Sequence, residues 1–329
     1  MATIKGIKGV KVQSKASDPT ASEAEGTVWY NTATNLLKYS IAGAGAWASG
    51  NNMNTGRTAL SSFGTQTAAM AAAGYRTPTV QNAAEEYDGT SWTTKNNVTV
   101  ARRLSHGAGT TTAGIIFGGL ATPTSTVLGS TETWDGTSWT AVNPLVNPRK
   151  NPASAQQGTT TAALAFSGDN VGIKAFTEEW DGTSWTEVNN LNTAREHAAG
   201  SGTQPAALCF GGGPGGTPYI ASTETWNGSS WTEVSGGDLN TARPYLSAAG
   251  SNTAALAIGG GAYPPIIANT ESWDGTSWTE VAALGTATAD GGGCGTDALG
   301  LAFGGAPGNQ VVTQEWADPS YTIKTVTVS

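Results

Sequence analysis

The chain has 329 residues, of which only 12% are charged, 45 are glycine and twelve are tryptophan. That mixture excludes a charge-rich disordered segment and favours short strands joined by tight turns. The formal net charge of −8 argues against nucleic acid as a partner, because phosphate binding needs a basic surface.

Residues 1–25 read as an N-terminal arm. Lys5, Lys8, Lys11 and Lys15 make it locally basic, and Lys38 follows shortly after. This basic run is a solvated tail or a docking arm for an acidic partner. Met1 to Val12 lacks the apolar core of a signal peptide, and no apolar run approaches a membrane span, so neither export nor membrane insertion is expected. Residues 26–50 read as a β-hairpin followed by a strand around Trp47.

From about residue 51 onward the chain repeats itself, which decides the architecture. Five hairpins read Tyr87-Asp-Gly-Thr-Ser-Trp92, Trp134 to Trp139, Trp180 to Trp185, Trp226 to Trp231 and Trp273 to Trp278, with Asn227-Gly-Ser in the fourth. A sixth, degraded copy is Trp316-Ala-Asp-Pro-Ser-Tyr321. The second aromatics recur at spacings of 47, 46, 46, 47 and 43 residues. Asp-Gly between two strands signals a hairpin, since glycine accepts positive φ and Asp caps the turn.

Each repeat carries four short strands, a to d. In the clearest copy they fall near Arg195–Gly202, Ala206–Gly212, Ser222–Trp226 and Ser230–Val234. Strand b ends on an apolar residue and a glycine pair, as in Phe117-Gly-Gly and Phe210-Gly-Gly, which suits close approach of a neighbouring unit. A four-stranded antiparallel unit must stack on copies of itself, and a ring removes the open edges.

The order Gly-Gly, Glu-x-aromatic, then Trp about five residues on resembles kelch repeats over residues 47 to 321. That resemblance implies an all-β, six-bladed kelch-like β-propeller of four-stranded antiparallel blades over residues 51–329, preceded by the arm and hairpin. Either the Trp47 strand or the strand from Tyr321 closes the ring.

Regular charges accompany the repeat. Arg57, Arg102, Arg149, Arg195 and Arg243 precede each strand a, and Glu85, Glu132, Glu178, Glu224 and Glu271 stand two before the first aromatic. In the sixth copy these become Thr288 and Gln314. Joint loss points to structural ion pairs, because removing half of a buried pair strands a charge. The alternative is a ring of arginines that binds an anion.

No catalytic or metal site is expected, and no cofactor. Galactose-oxidase-type propellers, which the kelch pattern also resembles, hold copper with histidines and tyrosines, but His106 and His197 sit at non-equivalent repeat positions. The turn is similar to the sialidase Asp-box but lacks a residue between Asp and Gly. Cys209 and Cys294 fall in different repeats and read as buried hydrophobes.

Binding is expected on the variable b–c loops, with Tyr219 and Tyr263 as the aromatics placed to stack on a sugar ring or a protein. The stretch Gly26 to Tyr39 resembles a short hairpin module of tailed-phage tail fibres and other virion proteins. It implies a non-catalytic structural or adhesion component of a tailed, marine-type bacteriophage virion, made in the host cytoplasm, in the tail, tail fibre or capsid decoration. On that resemblance Met1 to Ser17 docks onto other virion proteins, copies associate within the particle, and the propeller faces a host-surface glycan or protein. A glycan-binding, lectin-like propeller of cellular or secreted origin is the competing expectation.

Overall fold

A computed structural model describes residues 12–19, 27–122, 125–262, 264–318 and 321–326. The described residues are all-β: 32 strands, no helix, and therefore no helix long and apolar enough to cross a membrane. They form nine sheets, seven of four strands and two of two, arranged in two compact units.

The first unit comprises residues 1–46 and 318–329. Its strands are β1 (Gln13–Lys15), β2 (Val28–Asn31) and β3 (Leu36–Ala42), joined at the far edge by the last strand of the chain, β32 (Tyr321–Thr325). Strands β2 and β3 form the expected hairpin, with Val28 opposite Tyr39, while β1 pairs with β2 in parallel. Asn31 Oδ1 accepts the N–H groups of Ala33 and Thr34 and so closes the turn. Asp18 ties the sheet together, accepting hydrogen bonds from Lys38, Asn31 and the Trp29 indole, and the Lys38 bond foremost holds its carboxyl below the usual range.

The second unit, residues 47–317, contains six four-stranded sheets in chain order. After β4 (Ala46–Gly50), the first consists of β5 (Ser61–Thr65), β6 (Ala68–Ala72), β9 (Ala84–Tyr87) and β10 (Trp92–Lys95), with a two-stranded ribbon, β7 (Tyr75–Arg76) and β8 (Thr79–Val80), in its b–c loop. The second consists of β11 (His106–Thr110), β12 (Ala113–Phe117), β15 (Thr131–Trp134) and β16 (Trp139–Val142), with the ribbon β13 (Leu120–Ala121) and β14 (Thr126–Val127). The third has β17 (Ala153–Ser154), β18 (Ala163–Phe166), β19 (Thr177–Trp180) and β20 (Trp185–Val188). The fourth has β21 (Ala199–Thr203), β22 (Ala206–Phe210), β23 (Thr223–Trp226) and β24 (Trp231–Glu233). The fifth has β25 (Ser247–Gly250), β26 (Ala255–Ile258), β27 (Thr270–Trp273) and β28 (Trp278–Val281). The sixth has β29 (Gly292–Gly295), β30 (Gly300–Phe303) and β31 (Thr313–Ala317), completed by β4 from the other end of the repeats.

The last pairing corrects the reading of Trp316 to Tyr321 as a sixth hairpin. Tyr321 lies in β32, which pairs with β3, and Trp47 supplies the missing second aromatic beside Trp316, with ring centroids 5.6 Å apart. Spacing alone fits the wrong strand, because Asp318-Pro-Ser320 resembles a turn in sequence but lacks the Asp-Gly or Asn-Gly that closes the others. The repeat domain expected over 51–329 therefore gains Trp47 to Gly50 and loses everything after Ala317 to the first unit.

Neighbouring sheets share apolar layers. The first strands of adjacent sheets touch in chain order, and β29 of the sixth also touches β5 of the first. Each of six buried clusters draws on two sheets, for example Phe166 and Leu164 with Cys209 and Trp231, or Phe303 and Leu301 with Tyr87 and Trp92. The second Trp of each hairpin is the latch. In four of the sheets its ring packs tilted or edge-on against the Phe that ends strand b of the preceding sheet, for example at 4.9 Å for Phe117 and Trp185 and 4.8 Å for Phe166 and Trp231. Its indole N–H donates to the Thr that opens strand c there: Trp185 to Thr131, Trp231 to Thr177, Trp278 to Thr223, Trp47 to Thr270 and Trp92 to Thr313. The first sheet has Ala84 in place of that Thr, and Trp139 turns to the carbonyl of Asn96 instead.

Candidate functional site

The regular charges lie inside the scaffold. Arg57–Glu85 (3.2 Å), Arg102–Glu132 (2.5 Å), Arg149–Glu178 (2.9 Å), Arg195–Glu224 (2.7 Å) and Arg243–Glu271 are ion pairs within single sheets, each with almost no solvent exposure. Each carboxylate also accepts one or two backbone N–H groups from the loop leading to its arginine, such as Thr99 and Val100 onto Glu132. The guanidinium adds bonds to carbonyls, as Arg102 does to Gly118 and Ser130. In the sixth sheet Gln314 holds the Thr286 backbone with a neutral amide, and Thr288 donates to Gly304. Buried and paired in this way, the arginines present no open ring to an anion.

Two residues beyond each arginine position the chain turns into the innermost strand through a left-handed residue. These are Ala59, Leu104, Asn151, His197, Tyr245 and Asp290, with φ between 51° and 62°. Their backbones bond across sheets: Leu104 N–H to Ala59, Asn151 to Leu104, Tyr245 to His197, Asp290 to Tyr245 and Ala59 to Asp290. The backbone is thus constant while the side chain differs in every copy. Sequence reasoning passed over this register: aligning the copies on their arginines brings these six residues together, but the position before them varies as much, so variation alone does not single them out.

These residues line a cavity of about 40 Å³ together with His106, Gln156 and Ser105. It has room for about three waters, not for a substrate. Burial holds both histidines neutral, with His106 lowered to about 4 and His197 to about 3. Among the described residues no group of three His, Cys, Asp or Glu side chains is placed to hold a metal. Cys209 and Cys294 are buried and unbridged, and burial pushes the Cys209 thiol up to about 12.

A second cavity of about 170 Å³ opens beside the first, between the fourth and fifth repeat-bearing sheets, and shares His197 and Tyr245 with it. Its other walls are Glu196, Pro244, Gly213, Gly215, Gly216 and Tyr219. The backbones of Glu196 and Gly213 exchange hydrogen bonds, so the b–c loop is fixed beside the turn into β21. Of the predicted binding aromatics, Tyr219 therefore borders a cavity, and Tyr263 lies outside the described residues. Of the expected docking lysines, Lys15 stands half-buried in β1, whereas Lys5, Lys8 and Lys11 lie outside the described residues.

No protein-family model matches the sequence, and no curated protein matches it.

Proposed function

We propose that the six repeat-bearing sheets are the blades of a six-bladed, kelch-like β-propeller closed by β4, and that the chain is a non-catalytic structural or adhesion component of a tailed-phage virion. The observation that carries the reading is the division of labour among repeat positions. Charges that recur in five of the six copies are consumed by buried pairs, while the residues that differ gather at one mouth. A propeller built this way presents a surface on a rigid frame. Support for the virion setting comes from the hairpin Gly26 to Tyr39, whose strands β2 and β3 head a separate small unit. In this reading Met1 to Ser17 docks onto neighbouring virion proteins in the tail or its fibres, capsid decoration being the next placement, and copies associate within the particle.

Deleting residues 1–17 tests the docking. The expected result is particles that lack this protein or assemble wrongly; intact particles carrying a full complement would overturn it. The second reading, a glycan-binding propeller, is favoured by Tyr219 bordering a cavity, and predicts that the isolated chain labels a glycan array.

A further inference from the structure

The 170 Å³ cavity between the fourth and fifth repeat-bearing sheets has walls of one chemical character. Two are tyrosines, Tyr219 and Tyr245, and the only ionised group is Glu196. Glycine opens the remaining side. A Cβ on Gly213 would stand 3.1 Å from the Tyr219 ring, and one on Gly215 would stand 3.1 Å from Ile173 and 3.5 Å from Glu196 Oε1, while at Gly216 it would meet nothing within 4 Å. The loop thus leaves space where any other residue would put a side chain.

The Glu196 carboxylate has no cation set against it. Its Oε2 accepts from Asn151 Nδ2 at 3.1 Å and lies 3.4 Å from His197 Nε2, but His197 is neutral at ordinary pH. Lys150, the nearby cation, is held by Asp169 at 2.8 Å. Glu196 Oε1 has no hydrogen-bond partner among the described residues. After burial itself, the charges of Asp290 and Glu196 push the Tyr245 hydroxyl up to about 12, which marks the local field as negative. The Glu196 carboxylate in the lining disfavours an anion. A whole sugar ring does not enter, since the volume falls below the roughly 300 Å³ at which sites for larger ligands begin.

We propose that this cavity binds an alkylammonium group, with its charge against Glu196 and its methylene or methyl groups against the Tyr219 ring, beside the Tyr245 ring that packs on His197 with centroids 4.0 Å apart. The inference deepens the reading of the mouth as the binding face and rests on it. Two sources share this chemistry, a lysine side chain and a trimethylammonium headgroup. Methylammonium chloride stands in for the first and tetramethylammonium chloride for the second.

The experiment titrates each salt into the full chain carrying ¹³C-labelled tyrosine rings, at constant ionic strength, with tert-butanol and methyl α-glucoside as neutral controls. The Tyr219 and Tyr245 ring signals should shift and saturate with at least one ammonium salt, and the salt that acts names the source. Glu196→Gln should weaken binding roughly tenfold, the equivalent of about 1.4 kcal/mol, while leaving the tyrosine spectrum folded. Absence of shifts with both salts, an equal response to either neutral control, or undiminished binding by Glu196→Gln would overturn the proposal. Such a failure leaves arm docking untouched, and intact particles after arm deletion leave ammonium binding untouched.

Discussion

A buried guanidinium is stabilised only while its carboxylate is there, because burial itself disfavours the charge; burial lowers the affinity of Arg149 for its proton and Glu178 raises it. Glu178→Gln should therefore cost about 3–5 kcal/mol. The double change Arg149→Thr with Glu178→Gln, which copies the Thr288 and Gln314 solution of the sixth sheet, should cost clearly less than the sum of the two single changes. Urea denaturation of the three variants reads this directly, and additive losses would count against the pairing. The hairpin aspartates make a second prediction. Backbone N–H groups of Ser91, Ser138 and Ser184 foremost lower Asp88, Asp135 and Asp181, and the Thr276 hydroxyl foremost lowers Asp274 to about 2. A lowered carboxyl contributes stability above its unfolded value that is lost as pH falls through the folded one, here from about 4 toward 2. The lowered histidines act in the same direction, their contribution declining as pH falls from about 6.5 toward 4 for His106 and toward 3 for His197. Asn227 makes the same turn bonds without a charge. Replacing all four aspartates with Asn should keep the fold and flatten the melting temperature between pH 4 and 2, leaving the histidine limb in place; an unchanged acid limb would contradict the assignment.

At the scale of the strand, two candidates compete to complete the sixth sheet, and packing decides between them. Trp47 reaches Thr270 with its indole N–H at 3.0 Å and lies against Trp316, repeating the latch that four of the other five sheets use. Trp47→Ala should destabilise the repeat unit by about 3 kcal/mol. Removal of residues 318–329 should leave the main thermal transition in place, because β32 pairs only with β3. Calorimetry of the two variants distinguishes them, and the opposite ranking would return the closing role to β32. This is also where the sequence was least legible. The Asp-Gly hairpins and the b-strands ending on an apolar residue and glycine were visible because local chemistry dictates them. The partner of β31 was not, since a strand from the opposite end of the chain satisfies it. The mouth was hidden for a different reason: Asn151, His197, Tyr245 and Asp290 look unrelated until their shared left-handed backbone groups them.

For the whole molecule, six apolar layers between successive sheets and the contact of β29 with β5 describe a chain whose first and last repeats pack together. Trp92 of the first sheet donates to Thr313 of the sixth at 2.9 Å, a latch spanning the entire repeat array. The regular positions are then structural and the irregular mouth is free to vary, which is how one scaffold serves recognition. The proposed binding role of the mouth depends on that arrangement. A density map of the intact chain, from crystals or single particles, tests it most directly. It should show six sectors around a nearly filled axis, the sixth ending on the strand that carries Trp47. Seven sectors, an open arc, or Tyr321 in the place of Trp47 would contradict the account.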